Sequence, residues 1–309
     1  MYDRLTGDLR FTIVPFPGFD GGLSIAVGDV SGDGIDDLII GAGAGGGPLV
    51  EVYSGLDGQP IGSFYAYASS FRGGVNVSAA DTDNSGHANI VTGTGPGGGP
   101  NVRIFDGQTD ALMESVFVYD STFRGGVNVA VGDVTQAGVP DLVTSTGAGG
   151  GPRVLILNAS NLTQIGSFYA FNSNSRAGFS IAVADVIGDG LADIIVGSGP
   201  GTPNEIKVFT GPTESLYSDF YPNNSANLTA GPNPAEATGV QVGAADVNGD
   251  GIADVLAVDG PGSPPLLDAF QLSGVTEPNH VLFPVLQQIR SQLLYNGAIT
   301  TGLVVAGGD

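Results

Sequence analysis

The chain has 309 residues, of which 31 are acidic and 9 basic, for a formal net charge of -22. Nucleic acids and anionic membranes attract clustered Lys and Arg, so this charge argues against both as partners. Cysteine is absent, which excludes disulfides and thiol chemistry. No apolar run reaches the length of a membrane span, about 20 residues.

The predicted elements begin with a strand at Leu9–Phe16, which precedes a repeated sequence. The run Phe-Arg-Gly-Gly-Val-Asn-Val at 71–77 returns at 123–129, 52 residues later, and Gly-Gly-Gly-Pro recurs with the same period. The aspartates that end the first strand of each copy lie at positions 29, 81, 133, 185 and 246. A repeat of this length indicates one supersecondary unit per copy.

Each copy contains four short runs rich in β-branched and aromatic residues, separated by glycine turns, and none has a helical period. Side chains are small in the first runs and aromatic in the fourth, as the wedge between radial blades requires. Four strands per copy are typical of a β-propeller, with a β-sandwich or a solenoid as the alternative. We predict an all-β propeller over 1–272, with four-stranded antiparallel blades at about 19–70, 71–122, 123–174, 175–236 and 237–272.

Both ends of this domain carry predictions of their own. The fifth copy shows three strands, ending at Leu266–Leu272, and we expect strand 9–16 to pair beside it and close a five-bladed ring. In the extension 273–309, an apolar stripe predicts a short amphipathic helix over 284–295. Gly302–Asp309 resembles the start of another repeat, so the alternative is part of a six- or seven-bladed or longer array.

Acidic loops join the first and second strands of the copies. In the first loop, 29–37, oxygen-bearing side chains stand at loop positions 1, 3, 5 and 9, with glycine at 6 and an apolar residue at 7. Glycine permits a sharp turn, and position 7 offers a backbone carbonyl, so the loop supplies the oxygen ligands that calcium prefers. The predicted calcium ligands are Asp29, Ser31, Asp33, Ile35, Asp37, Asp81, Asp83, Ser85, His87, Asn89, Asp133, Asp141, Asp185, Asp189, Leu191, Asp193, Asp246, Asn248, Asp250, Ile252 and Asp254.

The five loops differ in quality. Loops one and five are complete, whereas loop four has Ile187 at position 3, and loop three has Thr135 and Ala137 at positions 3 and 5. Loop two has fewer charges and places His87 at position 7, where we expect its carbonyl rather than its ring to bind. One such loop alone is equally well explained as a simple turn, but the fixed period favours metal binding.

These motifs together resemble the FG-GAP repeats of integrin α-subunit propellers and of related secreted bacterial and fungal propellers, some of them lectins. The resemblance covers about residues 9–272 and rests on the acidic loop, on Phe-Arg-Gly-Gly and on the Gly-Ala-Gly-Gly-Gly-Pro turn. It implies bound calcium and a location outside the cell or at its surface, although no signal peptide is visible in this chain. Family propellers usually have seven blades, whereas five are visible here.

Catalysis is not predicted, because His87 and His280 lie in no Ser/His/Asp setting and no Gly-x-Ser-x-Gly motif is present. Two functions of different class remain. One is a binding module for adhesion or for recognition of a carbohydrate or protein. The other is a structural tile of a surface layer, matrix or filament, which self-associates through terminal strands such as Gly302–Ala306.

Strand alternation also predicts a ligand face. Connections between first and second strands lie on one side of the disc, whereas the glycine turns and the Phe-Arg-Gly-Gly segments share the other. This places Arg72, Arg124 and Arg176 at equivalent points of neighbouring blades, opposite the acidic loops. Such guanidinium groups suit carboxylate or hydroxyl groups of an acidic glycan or peptide. The alternative is that each arginine only binds carbonyl groups between adjacent blades.

Overall fold

The computed structural model describes residues 9–222, 237–260, 262–263, 266–276 and 282–293. In these residues the chain forms five four-stranded antiparallel sheets, each with its strands in sequence order. None of the described residues forms a helix with the length and apolar character needed to cross a bilayer. The prediction of an all-β propeller with five blades is confirmed.

The strands are as follows. Blade one contains β1 (Leu23–Gly28), β2 (Asp37–Ala42), β3 (Leu49–Tyr53) and β4 (Pro60–Tyr65). Blade two contains β5 (Val75–Ala80), β6 (Asn89–Thr94), β7 (Asn101–Phe105) and β8 (Leu112–Phe117). Blade three contains β9 (Val127–Gly132), β10 (Asp141–Thr146), β11 (Arg153–Asn158) and β12 (Gln164–Tyr169). Blade four contains β13 (Phe179–Ala184), β14 (Asp193–Ser198), β15 (Ile206–Phe209) and β16 (Leu216–Phe220). Blade five contains β17 (Val240–Ala245), β18 (Asp254–Asp259), β19 (Leu266–Thr276) and β20 (Leu282–Leu293).

First strands from all five blades line a narrow central channel. Polar side chains on these strands join neighbouring blades: Asn76 Nδ2 donates to the Val127 carbonyl at 2.7 Å, and Asn128 Nδ2 donates to the Phe179 carbonyl at 2.7 Å. Ser180 Oγ donates to the Val240 carbonyl at 2.8 Å. Because these bonds satisfy carbonyl groups at the channel wall, they fix the spacing of the inner strands.

The hydrophobic core is divided among the seams between blades. Separate clusters join blades one and two, two and three, three and four, and four and five. At the outer ends of the seams, aromatic pairs fill the widening wedge, such as Phe64 with Phe105 at 4.7 Å and Phe168 with Phe209 at 4.5 Å between ring centroids. Each of these clusters therefore buries apolar faces of two adjacent blades against each other.

The predicted closure by the N-terminal strand is wrong. Among the described residues, 10–15 form no strand, and β19 pairs with β20 instead, from Leu266 opposite Leu293 to Thr276 opposite Leu282. The N-terminal segment packs on the outer face of blade one, where the buried Phe16 contacts a cluster containing Ile40 and Ala42. The N-terminal segment therefore covers an apolar face of the blade-one sheet.

The predicted helix over 284–295 is also wrong, because most of this segment belongs to β20. Without β20, the fifth blade would have three strands, and the edge of β19 would leave backbone groups unpaired. Pairing of β20 with β19 satisfies these groups along eleven residue pairs. Tertiary pairing thus outweighs a local helical pattern. The propeller extends beyond the predicted boundary at 272, while Gly302–Asp309 lies outside the described residues.

Candidate metal-binding loops and the opposite face

The five acidic loops share one backbone conformation. Residues at loop position 4 and loop position 6 adopt a left-handed φ, for example Gly32 at 78° and Gly34 at 83° in loop one. Asn84 and Gln136 take position 4 in loops two and three with φ of 59° and 62°. The glycine at position 6 was predicted from the sequence, but the second left-handed residue was not, because a non-glycine residue stands there in two copies.

The aspartate at position 1 organises each loop. In loop one, Asp29 Oδ1 accepts hydrogen bonds from the N–H groups of Gly32 and Asp33 at 2.7 and 3.1 Å, and Oδ2 accepts one from Gly34 at 2.7 Å. The bond from the N–H at position 6 recurs in all five loops, at 2.7 to 3.0 Å. These bonds preserve the loop shape even in copies with fewer oxygen side chains.

Residues at position 9 lie at the start of the second strand and are buried: Asp37, Asn89, Asp141, Asp193 and Asp254 are each at most 1% exposed. One oxygen accepts backbone N–H bonds, as when Asp193 Oδ2 accepts from Val186 and Ile187 at 3.1 Å each. The second oxygen of Asp141 and of Asp193 is buried and has no hydrogen-bond partner among the described residues. A buried carboxylate oxygen without a donor suits a bound cation.

Electrostatics at position 9 agree with this geometry. Burial raises the pKa of Asp193 to about 7, and the carboxylates of Asp189 and Asp185 add to the increase. Burial also raises the pKa of Asp141 and of Asp254. These groups are costly to ionise without a neighbouring positive charge, which a calcium ion would supply.

The loops are not equivalent as metal sites. Position 5 carries a carboxylate in loops one, four and five, where it accepts the N–H of position 7, as Asp33 does from Ile35 at 2.9 Å. Ser85 and Ala137 replace it in loops two and three. Across the part of the chain that the structure describes, no three acidic or histidine side chains are grouped as a metal centre would group them. Carbonyl and amide oxygens would therefore supply the remaining ligands.

Adjacent loops are joined through their backbones. The Asp29 carbonyl accepts from Ala88 N at 2.7 Å, the Asp133 carbonyl accepts from Ala192 N at 3.3 Å, and the Asp185 carbonyl accepts from Ala253 N at 3.0 Å. Pro140 stands at the equivalent position 8 of loop three and has no N–H to donate to loop two. On one side of the disc, loop one is thus joined to loop two, and loops three, four and five are joined to one another.

In loop two, His87 keeps its ring away from the oxygens of the loop. Its Nε2 lies 3.8 Å from an oxygen of Asp106, in the turn between β7 and β8, while its carbonyl accepts a hydrogen bond from Ser85 Oγ at 3.3 Å. The His87 charge contributes to a lowered pKa of Asp106, after the larger effect of a hydrogen bond from Thr109. The prediction that the carbonyl rather than the ring binds metal stays a prediction.

The three repeated arginines lie exposed on the side of the glycine turns. Each Nη1 donates to two carbonyls of its own loop; Arg124 Nη1, for example, bonds the Ser121 and Phe123 carbonyls at 2.6 and 2.8 Å. Arg72 and Arg176 repeat this pattern. Their backbone carbonyls, not their guanidinium groups, bridge to the preceding blade, as in the bond from Gly97 N to Arg124 at 2.8 Å. The arginine side chains thus bond carbonyl groups of the segment that connects two adjacent blades, in line with the alternative to a ligand role, and none of them bonds a strand of a neighbouring blade among the described residues.

Exposed aromatics accompany these arginines, a feature that sequence reasoning missed. Tyr65, Phe117 and Tyr169 end the outer strands of blades one to three and are 57, 59 and 61% exposed. A side chain added at Gly99 would meet Phe117 at 2.9 Å and Arg124 Nη1 at 3.9 Å, so the glycine turn lies between a ring and a cation. The spacing of 52 residues between these aromatics was the available signal.

Comparison with known proteins agrees with this architecture. Residues 21–58, which include the first acidic loop, match the model of the FG-GAP repeat. Integrin alpha-8 of Gallus gallus is 33% identical over 146 residues, covering 44% of this chain. The matched part spans only 14% of the integrin's own length.

Solved structures resemble this chain at low sequence identity. The Dos1 propeller has a TM-score of 0.51 and 14% identity, over 90% of this chain and 61% of its own. The exotype rhamnogalacturonan lyase YesX has a TM-score of 0.46 and 15% identity, over 90% of this chain and 67% of the lyase. The rhamnogalacturonan lyase PL11 of Bacillus licheniformis has a TM-score of 0.47 and 18% identity, over 85% and 53%. The likeness to Dos1 is one of fold alone.

Proposed function

We propose that this five-bladed β-propeller, one repeat of which matches the FG-GAP model, is a calcium-stabilised binding module that works outside the cell or at its surface. One observation carries the proposal: at position 9 of loops three and four, a buried carboxyl oxygen of Asp141 and of Asp193 lacks a donor, within an acidic motif that recurs in every blade. In loops one and five the matching oxygens of Asp37 and Asp254 accept hydrogen bonds from Gly55 N and Asn248 Nδ2. The 33% identity to integrin alpha-8 over 146 residues supports recognition as the function.

Calcium would be held most completely by loops one and five. The available donors are the carboxylates at positions 1, 5 and 9, the side-chain oxygens of Ser31 or Asn248 at position 3, and the carbonyl at position 7. Because the described residues do not group three acidic side chains as a metal centre would, the carboxylates would have to move closer together to share one ion. The ion would neutralise clustered charge and join the first strand of a blade to the second. The aspartate at position 1 already orders the loop backbone through its hydrogen bonds, so the ion would bind to a preformed loop.

The ligand face of the proposal is the side opposite the loops. Each of Arg72, Arg124 and Arg176 uses Nη1 to hold its own loop, and its other nitrogens have no partner among the described residues. A guanidinium fixed at one nitrogen and free at the others is preorganised for a carboxylate or hydroxyl. We therefore expect an acidic glycan or an acidic peptide as the ligand.

The test is binding of the calcium-loaded protein to an array of acidic glycans, neutral glycans and acidic peptides. A variant with Arg72, Arg124 and Arg176 each changed to Ala should lose at least about tenfold in affinity for the ligand found. Changing the three to Lys should restore only part of it, because a lysine offers no bidentate fork. A wild-type protein that binds none of these ligands would contradict the proposal.

A structural tile is the second candidate, because the outer strands expose apolar side chains. Ile61, Met113 and Ile165 are 48, 39 and 48% exposed at matching places of β4, β8 and β12. Such edges are able to pair or pack with another copy of the chain. Sedimentation over a range of protein concentrations tests this candidate, since a tile assembles and a binding module stays monomeric.

A further inference from the structure

A cavity lies at the seam between blades three and four, on the outer part of the side opposite the acidic loops. It has a volume of 640 Å³, within the range of small-molecule sites. Its wall includes Tyr169 and Phe171 from the end of β12 and the segment after it, and Glu205 and Lys207 from β15 and the residue before it. The wall therefore combines aromatic and charged groups.

Equivalent seams elsewhere in the ring are closed by a tyrosine hydroxyl. Tyr67 Oη donates to the carbonyls of Thr92 and Asn101 at 3.0 and 2.9 Å, across the seam between blades one and two. Tyr119 makes the same pair of contacts across the next seam. At the third seam the matching residue is Phe171, which has no hydroxyl, and Val196 replaces the threonine.

Charged side chains also behave differently at this seam. Between blades one and two, Arg103 Nη1 crosses to the Ala66 carbonyl at 2.8 Å. Lys207 occupies the same place in blade four, but its ammonium group bonds Glu205 and Asp219 of its own blade at 3.1 and 3.3 Å. It lies 5.6 Å from the centre of the Phe171 ring. The polar groups thus stay on one wall, which leaves the space between the blades open.

Further polar groups of the wall are available to a ligand. The Asn172 side chain uses its Oδ1 to accept from Asn174 N at 3.0 Å. Asn172 Nδ2 and Ser175 Oγ have no hydrogen-bond partner among the described residues. Glu205 offers carboxylate oxygens on the opposite wall. Hydrogen-bond donors and acceptors therefore line the same cavity as the rings of Tyr169 and Phe171.

The charges select the class of ligand. One lysine and two carboxylates leave the cluster with a net negative charge, which disfavours an anionic ligand, while the ammonium group of Lys207 disfavours a cationic one. A neutral sugar presents an apolar C–H face to an aromatic ring and hydroxyls that both donate and accept. We propose that this cavity binds one neutral sugar unit of a glycan. The proposal rests on the proposed function and adds to it a separate subsite for a neutral unit of a glycan whose acidic units the arginines would bind.

The test measures binding of methyl glycosides of glucose, galactose and mannose to the calcium-loaded protein by NMR titration. At least one should bind with a Kd in the millimolar range, about 1 to 10 mM, as a single sugar unit on one aromatic platform does. Tyr169→Ala and Asn172→Ala should weaken this binding at least about tenfold. Both side chains are exposed, so neither change should unfold the protein.

Phe117→Ala is the matched control, because Phe117 occupies the position of Tyr169 in blade two with nearly equal exposure but does not line the cavity. Its affinity should equal that of the wild type. Absence of glycoside binding, equal affinity in Tyr169→Ala, or tighter binding of methyl glucuronide or choline would overturn the proposal. If the cavity proposal is overturned but the wild type still binds a ligand on the glycan or peptide array, only the cavity proposal is wrong. If the wild type binds nothing on the array, the proposed function is wrong as well.

Discussion

At the scale of single residues, the repeat allows one position to be compared in several blades. Tyr67 and Tyr119 place their hydroxyls into the neighbouring blade, where each bonds two carbonyls and lies within 3.1 Å of a threonine hydroxyl. Burial raises the pKa of both phenols well above the ordinary value. A tyrosine here acts as a polar clamp between blades, whereas Phe171 leaves its seam unclamped.

Tyr119→Phe should therefore destabilise the protein by about 1 to 2 kcal/mol, because the Thr144 and Arg153 carbonyls lose a buried donor. Urea unfolding of calcium-loaded protein measures the difference. Tyr169→Phe is the control, since this exposed hydroxyl has no such bond and its loss should change stability by less than about 0.5 kcal/mol. Equal effects of the two changes would rule out the clamp.

At the scale of elements, the N-terminal segment acts as a cover rather than as a strand. Phe16 is 9% exposed and packs with Phe19 edge to face at 6.4 Å between ring centroids. Together with Ile13 they cover Ile40 and Ala42, on the face of blade one that no neighbouring blade shares in the described core clusters. The irregular N-terminal segment thus buries this face of blade one, as a neighbouring blade does at the other seams.

Phe16→Ala should destabilise the protein by about 3 kcal/mol, because it removes a large buried side chain from this cover. Val14→Ala is the matched control in the same segment, as Val14 is 72% exposed and should contribute less than about 0.5 kcal/mol. Thermal unfolding followed by circular dichroism gives both values. A Phe16 variant as stable as the Val14 variant would show that the segment is not part of the core.

At the scale of the whole molecule, charge and shape are coupled. The net charge of -22 is partly concentrated in the acidic loops on one side of the disc, several of which are joined through backbone bonds. Like charges so placed repel one another in the folded state. Bound cations would relieve this repulsion and tie the strands of each blade together, so calcium should act on the stability of the entire ring.

Calcium at a hundred times its Kd should add about 2.7 kcal/mol per occupied site, and a chelator should lower the Tm accordingly. Asp250→Asn should remove most of the contribution of loop five, because Asp250 provides the carboxylate at position 5. Asp120→Asn, an exposed aspartate on the opposite side, should leave the calcium effect unchanged. Scanning calorimetry with and without chelator measures these changes in Tm. A wild-type Tm that does not change with calcium would contradict the prediction.

The repeat, the four strands per blade and the acidic loops were all predictable, because each depends on local patterning: β-branched runs, glycine turns and aspartates at a fixed period. The sequence by itself therefore determined the propeller and the glycine turn at position 6 of loops such as 29–37, whereas the left-handed residue at position 4 was not predicted. Closure was not predictable, since the choice between 9–16 and β20 as the outer strand of blade five is one between distant segments. The local sequence patterns of the two segments do not indicate which of them pairs with β19.

Only the tertiary structure decided which side chains meet across a seam. Arg103 and Lys207 occupy one position of the repeat, yet the first crosses to the neighbouring blade and the second binds carboxylates of its own blade. The difference arises from residues that are remote in sequence, such as Phe171 and Asp219. A cavity is the space left after such packing, and packing is a property of all the contacting side chains together.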